Sequence, residues 1–242
     1  MNSSLSSELL ESLRRLDTCA VCNAIESLKV RLRNEGFTDG RIRCLFPRRR
    51  PIVGYAVTAR VHTSNPPIKG RSYADRTDWW TYVLTIPEPR IVVIEDADDP
   101  PAMGSYIGEV HANILRSLGA VAVVTNGAVR DLTALDMTGL QVFAARASVS
   151  HAYGHLVEFG QPVEIAGLKV NPGDLLHADV HGVLSVPQSV AAAIPDAAAE
   201  IIERERKVLA VCRSSDFSLA TLSDAVRGVF YDDQTLNQPT AP

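Results

Sequence analysis

The chain has 242 residues, 24 Lys+Arg against 28 Asp+Glu, a formal net charge of −4 and 46% hydrophobic residues; at this length folding buries about 72% of the unfolded surface, enough for a core without metal or disulfide staples. The acidic balance opposes a nucleic-acid surface, which carries a basic excess, and no apolar run approaches the roughly 18 residues of a membrane span. MNSSLSSELLESL puts Ser and Glu where a secretory leader has basic residues and then an apolar block, so a protein of the reducing cytoplasm is expected.

Residues 1–16 carry Leu5, Leu9, Leu10 and Leu13 at helical spacing. Asp17-Thr18 then caps a second helix running through Leu28. The Arg- and Pro-rich stretch from Arg31 to Pro51 is expected as surface loop, with Arg48-Arg49-Arg50 either a small anion site or a solvated run. Gly54 to His62 alternates as a strand, placing Tyr55, Val57, Ala59 and Val61 on one face. SNPPIKGRS is loop-like, and Asp78 to Ile86 is a short helix bearing Trp79 and Trp80. Arg90–Glu95 is a buried strand leading into the acidic loop EDADDPP. Ile107 to Leu118 reads as a helix with Ile107, Val110, Ile114, Leu115 and Leu118 on its inner face, and Val121–Thr125 is a second buried strand. Residues 90–125 thus form a βαβ unit with parallel strands.

Gln141–Ala145 is a further strand. Short strands are expected at 163–165, 168–170, 175–179 and 182–186, turning at Ala166-Gly167, Asn171-Pro172-Gly173 and His181-Gly182. A long helix, Ser189 to Cys212, is interrupted or started by Pro195. The organisation is an N-terminal helix (1–16), one α/β domain (17–213) with a parallel and a hairpin-rich section, and a polar C-terminal extension (214–242) that wraps the surface or a neighbouring subunit.

Three constellations could carry chemistry. Cys19 and Cys22 form a lone CxxC; Cys44 and Cys212 supply no second pair for zinc, and the plainer alternative is small buried residues on a helix. His177-x-Asp179-x-His181 puts three ligand types on one strand face, and His151 and His155 could add two more; against this, Gly154 weakens a helix there, and the Asp179–Gly182 segment reads as a hairpin turn. The third lies where the two ends of the βαβ unit meet, since open parallel sheets bind ligands beyond their strands' carboxyl ends. There, Gly108-Glu109-Val110-His111 starts a helix whose backbone N–H groups suit an anion. The turn Asn126-Gly127-Ala128-Val129-Arg130-Asp131 adds a guanidinium fork suited to a carboxylate or enolate oxygen and a hard oxygen ligand for Mg²⁺. An Arg–Asp turn pair or helix cap is the structural alternative. The chain has no GxSxG, P-loop or GxGxxG.

GEVHANILRSLGAVAVVTNGAVRDL (108–132) followed by PVEIAGLKVNPGDLLHADVHGVLSVP (162–187) resembles the RraA-like family, which includes the class II 4-hydroxy-4-methyl-2-oxoglutarate and 4-carboxy-4-hydroxy-2-oxoadipate aldolases. The resemblance implies an αββα sandwich like the swivelling phosphohistidine domain, assembled as homotrimers or hexamers with active sites between subunits. It implies a 2-oxo acid substrate and Mg²⁺ or Mn²⁺, with retro-aldol cleavage or oxaloacetate decarboxylation through a pyruvate enolate. By motif, Asp131 would bind the metal, Arg130 would hold the pyruvyl carbonyl oxygen, and Glu109 would anchor metal-bound water. The backbone N–H groups of Val110 and His111, in the turn begun by Gly108, would bind the pyruvyl carboxylate. Glu203 or Glu205 could complete a neighbouring subunit's site. Three features depart from the family pattern. Glu109 stands where aldolases often have Asp, His111 replaces an apolar residue, and the Trp79-Trp80 segment and the tail after 213 have no counterpart in short members. The family also contains regulators that bind ribonuclease E without catalysis. Those lack the Asp after the Arg, whereas this chain keeps Arg130-Asp131, which favours the enzyme.

Overall fold

The structure, a computed structural model, describes residues 4–68 and 77–230. The chain opens with α1 (Ser7–Arg14) and α2 (Thr18–Ser27). Each starts on a side chain that satisfies a freed backbone N–H: Ser6 accepts from Leu9 and Asp17 from Ala20 at 2.7 Å. Next come β1 (Arg43–Cys44), the long β2 (Ile52–His62), α3 (Thr77–Thr85), β3 (Arg90–Asp96), β4 (Ser105–Ile107), α4 (Glu109–Ser117) and β5 (Ala120–Thr125). After these the chain forms β6 (Ala128–Val129), α5 (Leu132–Met137), β7 (Gln141–Ala144), β8 (Arg146–Ala147) and β9 (His155–Phe159). Two hairpins follow, β10 (Val163–Ile165) with β11 (Leu168–Val170), and β12 (Leu175–Asp179) with β13 (Gly182–Val186). A 3-10 segment, Gln188–Ala193, runs into α6 (Ile194–Cys212), with Pro195 in its first turn where its missing N–H is harmless. The chain then forms α7 (Leu219–Phe230).

The main sheet runs β1-β7-β5-β3-β2-β12-β13. Strands β2, β3, β5 and β7 are parallel, and β12 pairs antiparallel with β2. The 11-residue β2 pairs along one edge with β3, from Tyr55 to Val61. Its other edge is shared between β12, near Ile52–Tyr55, and β9, near Ala59–His62. Side-chain alternation sorts its residues into three cores. Val57, Ala59 and Val61 join β3, β5 and β7 residues beneath α3 and α4. Val53 and Tyr55 pack with Leu175, Leu184 and Val186 against α1, α2 and α6. On the opposite face Ile52 and Ala56 meet Ile91, Val93, Val124 and Phe143, with Val163, Leu168, Leu176 and Val183 of the hairpins closing over them. The inner core therefore lies between β layers, and the two outer cores lie under helices. This is the expected αββα arrangement, a mixed α/β fold.

The four hairpin strands fall at the expected bounds, and the βαβ unit has its parallel β3–β5 pair. One of the boundaries that differ bears on the site. Ile107 is not the first residue of a helix but the last of β4, and Val110 is 72% exposed rather than inward-facing. Gly108 separates strand from helix, so the helical register begins two residues later than expected and buries Ala112 and Leu115. Within the C-terminal extension, α7 packs on α6; residues 231–242 lie outside the described part. Among the described residues no helix is long and apolar enough to cross a membrane.

Candidate functional site

Three strands too short to read from sequence build the site. β4, β6 and β8 form a small parallel sheet, with Ile107 opposite Val129. The Arg130 N–H extends this ladder by donating to the Ile107 carbonyl at 3.0 Å. The loop before α4 and the loop before α5 thereby leave adjacent strands side by side. At the carboxyl ends of β3 and β5 in the main sheet the polar groups bond one another, beside an open cavity lined by Glu95, Pro101, Asn126, Ala145 and Arg146. The Asp96 N–H donates to Asn126 Oδ1, the Asn126 amide donates back to the Asp96 carbonyl, and Asp96 Oδ2 accepts from Ala102 N–H and Thr63 Oγ1. Burial raises the pKa of this carboxyl. The Gly108–His111 and Asn126–Asp131 loops that the sequence pointed to are brought together by the small sheet.

Gly108 is the N-cap of α4 and Asp131 the N-cap of α5. Asp131 adopts φ 58°, ψ 43°, the left-handed region, and its side chain makes no capping bond to its own helix. It turns toward the other helix instead, where Oδ2 accepts the Glu109 N–H at 3.1 Å. Arg130 Nε lies 3.4 Å from the same oxygen, and both side chains are 37% exposed. Among the described residues Oδ1 receives no hydrogen bond. A methyl group on Gly108 would lie 2.6 Å from Asp131 Oδ2 and 3.1 Å from Arg130 Cγ, so only glycine admits this approach. The first intrahelical bond of α4 runs from the Ala112 N–H to the Gly108 carbonyl. Asp131 takes the freed Glu109 N–H; Val110 and His111 follow it in the first turn, at the positive end of the helix. The His111 ring stacks on Tyr106 of β4, centroids 4.9 Å apart.

Among the described residues no three histidine, cysteine or acidic side chains converge as a metal cage. Asp131 is the carboxylate here that could hold Mg²⁺ or Mn²⁺, ions that keep several waters and take one or two carboxylates. Asp131 Oδ1 and the carboxylate of Glu109, in the first turn of α4, are oxygen donors of the kind these ions prefer. Glu203 and Glu205 sit on the exposed part of α6, Glu203 paired with Arg206 at 3.0 Å, and α6 supplies nothing to this chain's own site.

The competing histidine constellation is a structural clamp. His177 is fully buried, its Nε2 donating to the Leu13 carbonyl at 3.1 Å and its Nδ1 accepting from the Thr18 hydroxyl at 3.0 Å. Burial lowers the pKa of its ring. Asp179 accepts from the Thr18 N–H at 2.9 Å and from the backbone and ring of His181; despite burial, which opposes it, these donors hold its carboxyl below the usual range. His151 and His155 do not share a helix, since His155 begins β9. The CxxC lies on α2 as expected, but Cys19 is exposed, and its thiol and that of Cys22 are pushed up by burial and nearby carboxylates. Arg49 of the triple-Arg run is bound to Asp136 and the Leu140 carbonyl and lies over Phe46, a packing role.

The family model described as RraA-like: Aldolase/RraA matches residues 18–185. Protein DlpA of Legionella pneumophila subsp. pneumophila (strain Philadelphia 1) is 26% identical over 110 residues, 44% of this chain and only 17% of that longer relative. An uncharacterized protein from Pseudomonas syringae pv. tomato shares the fold with a TM-score of 0.72 at 21% identity, covering 94% of this chain and 97% of that one. Streptomyces coelicolor RraAS2, described as an unusual member of the RNase ES inhibitor RraA protein family, aligns with a TM-score of 0.68 at 22% identity, over 85% of this chain and 98% of its own.

Proposed function

The chain belongs to the RraA-like family, and on that premise we propose that it is a divalent-metal-dependent lyase. It would cleave a 2-oxo dicarboxylic acid by retro-aldol reaction or decarboxylation through a pyruvate enolate. The observation that carries this reading is the Asp131 carboxylate. It sits on a left-handed cap residue, its side chain 37% exposed, with one oxygen unbonded among the described residues, beside a guanidinium and at the start of α4.

The remaining roles follow from charge and position. The substrate carboxylate takes the Val110 and His111 N–H groups at the positive end of α4. Arg130 faces the 2-oxo oxygen, where negative charge accumulates as the C3–C4 bond breaks and its electron pair becomes the enolate. The Glu109 carboxylate holds the water that accepts the proton of the 4-hydroxyl in the aldol case. Mg²⁺ or Mn²⁺, when held by Asp131, supplies Lewis-acid polarisation of the same carbonyl.

Val110, Leu132 and Met137, 72%, 41% and 84% exposed, flank the site on α4 and α5, an apolar rim that suits coverage by a second copy in a homotrimer or hexamer. Glu203 or Glu205 of that copy would reach the site from outside.

The test is pyruvate release from oxaloacetate and from 4-hydroxy-4-methyl-2-oxoglutarate by chelator-stripped protein reloaded with Mg²⁺ or Mn²⁺. Metal-dependent release that disappears in Asp131→Ala supports the lyase. Wild-type protein that releases no pyruvate but retains ribonuclease E in a pull-down would replace it with the regulator reading.

A further inference from the structure

Two imidazoles outside this site meet across the junction of β2 and β9. His62 and His155 are register partners in the antiparallel pair. The next pair along, Val61 and Leu156, is buried in the core, so alternation turns both histidines to the opposite face. Their ring centroids are 6.0 Å apart.

Each ring is already oriented through Nδ1. His155 Nδ1 lies 2.7 Å from the Tyr153 carbonyl, and His62 Nδ1 lies 2.8 Å from Asp98 Oδ1. A carbonyl or a carboxylate only accepts, so each ring in its neutral form carries the proton on Nδ1 and keeps a lone pair on Nε2. Asp98 is fixed in turn, its Oδ2 accepting the N–H groups of Thr63 and Ser64 at 2.7 Å each and the Thr63 hydroxyl at 3.1 Å. Burial works against its charge, but these donors and the His62 ring hold the carboxyl well below the usual range.

We propose that His62 and His155 form a cross-strand, two-imidazole site for a borderline-soft divalent transition ion of the Zn²⁺, Ni²⁺ or Cu²⁺ class, with Asp98 as the positioning residue of His62. Metal-binding histidines characteristically donate their second ring nitrogen to a carboxylate or a backbone carbonyl, which fixes tautomer and direction. Here one ring has each kind of partner. Imidazole nitrogen selects this class of ion, whereas Mg²⁺ and Mn²⁺ go to oxygen, so the site is chemically distinct from Asp131. Water fills the remaining positions, since among the described residues no third protein ligand converges. Bound there, the ion staples β9 to the end of β2.

Calorimetric titration of the chelator-stripped full chain with ZnCl₂ and with NiCl₂ at neutral pH tests this. His62→Gln and His155→Gln are each expected to weaken binding about tenfold or more, and the double variant to abolish it. Asp98→Asn is expected to weaken it about 10- to 100-fold and to change the His62 tautomer seen in long-range ¹H–¹⁵N spectra, a signature that mere loss of packing would not give. His151→Gln and Asp131→Asn are expected to bind as the wild type does; because Asp131→Asn disables the proposed lyase, its retained binding separates the two ideas. Equal binding by the wild type and the double variant, or a wild-type dissociation constant weaker than about 1 mM, overturns the proposal. So does a loss in His151→Gln equal to that in His155→Gln. If Asp98→Asn does not fold, His155→Gln, at the start of an edge segment, still decides.

Discussion

Two acidic clusters of this molecule contain the same kinds of groups and use them in opposite ways. Around Asp179 every polar atom is committed: the carboxylate ties the first turn of α2 to the β12–β13 hairpin, and His177 beside it joins α1 and α2 to the sheet. Around Asp131 the backbone is forced into a left-handed residue, the side chain declines its own helix, and one oxygen remains open. A cluster whose bonds are all internal holds the fold. One that keeps a charged atom unpaired, at the expense of local strain, is arranged for something that arrives from outside.

The contrast breaks first at the carboxylates themselves. Asp131→Ala is expected to lower metal-dependent pyruvate release about 10²- to 10³-fold, the scale of a lost group that stabilises developing charge, with the circular dichroism spectrum unchanged. Asp179→Ala is expected to do the reverse. It strands the buried Thr18 N–H, lowering stability by about 1–3 kcal/mol in urea unfolding while the folded fraction turns over normally. If Asp179→Ala abolishes turnover in fully folded protein, the division between the clusters is wrong.

The histidine motif and the Arg–Asp turn are both visible in the sequence, and the reason the first closes on itself in the fold is physical. Alternation placed His177 and Asp179 on one face of β12, as expected, but alternation does not say what covers that face. It is covered by α2, whose Thr18 consumes both side chains. The hairpins were legible because Ala166-Gly167 and Asn171-Pro172-Gly173 are turn chemistry between apolar runs, and β3 and β5 because RIVVIE and VAVVT are too apolar and β-branched for anything but buried strands. Strands β4, β6 and β8, of two or three residues, have no periodicity to read. Consequently the helix of 109–117 was started too early, and Gly108 appeared as a helix-start residue rather than as the point where Asp131 and Arg130 approach the backbone.

Acid titration sharpens the same contrast more gently. Burial lowers the pKa of His177 in the folded state, so the unfolded chain binds the proton more readily. The resulting contribution to stability is complete above the unfolded value of about 6.5 and is lost as pH falls below it, by at most about 1.4 kcal/mol per pH unit for one proton. Urea midpoints measured between neutral pH and about pH 5 should fall in the wild type and fall less in His177→Gln.

The smallest effect is the most discriminating, because it reverses the sign of the usual mutational outcome. A left-handed conformation at a non-glycine residue costs about 1–2 kcal/mol, less for aspartate, which tolerates it better than most. At position 131 no bond to its own helix offsets that strain; the single backbone bond to Glu109 and the half-exposed contact with Arg130 are weak returns in water. Asp131→Gly should therefore raise stability by up to about 1 kcal/mol in urea unfolding while removing pyruvate release as completely as Asp131→Ala does. A substitution that stabilises the chain and silences it identifies a residue kept for a ligand. Were Asp131→Gly instead to destabilise the protein as Asp179→Ala is expected to, the carboxylate would be a cap like any other, and the two clusters would differ only in depth.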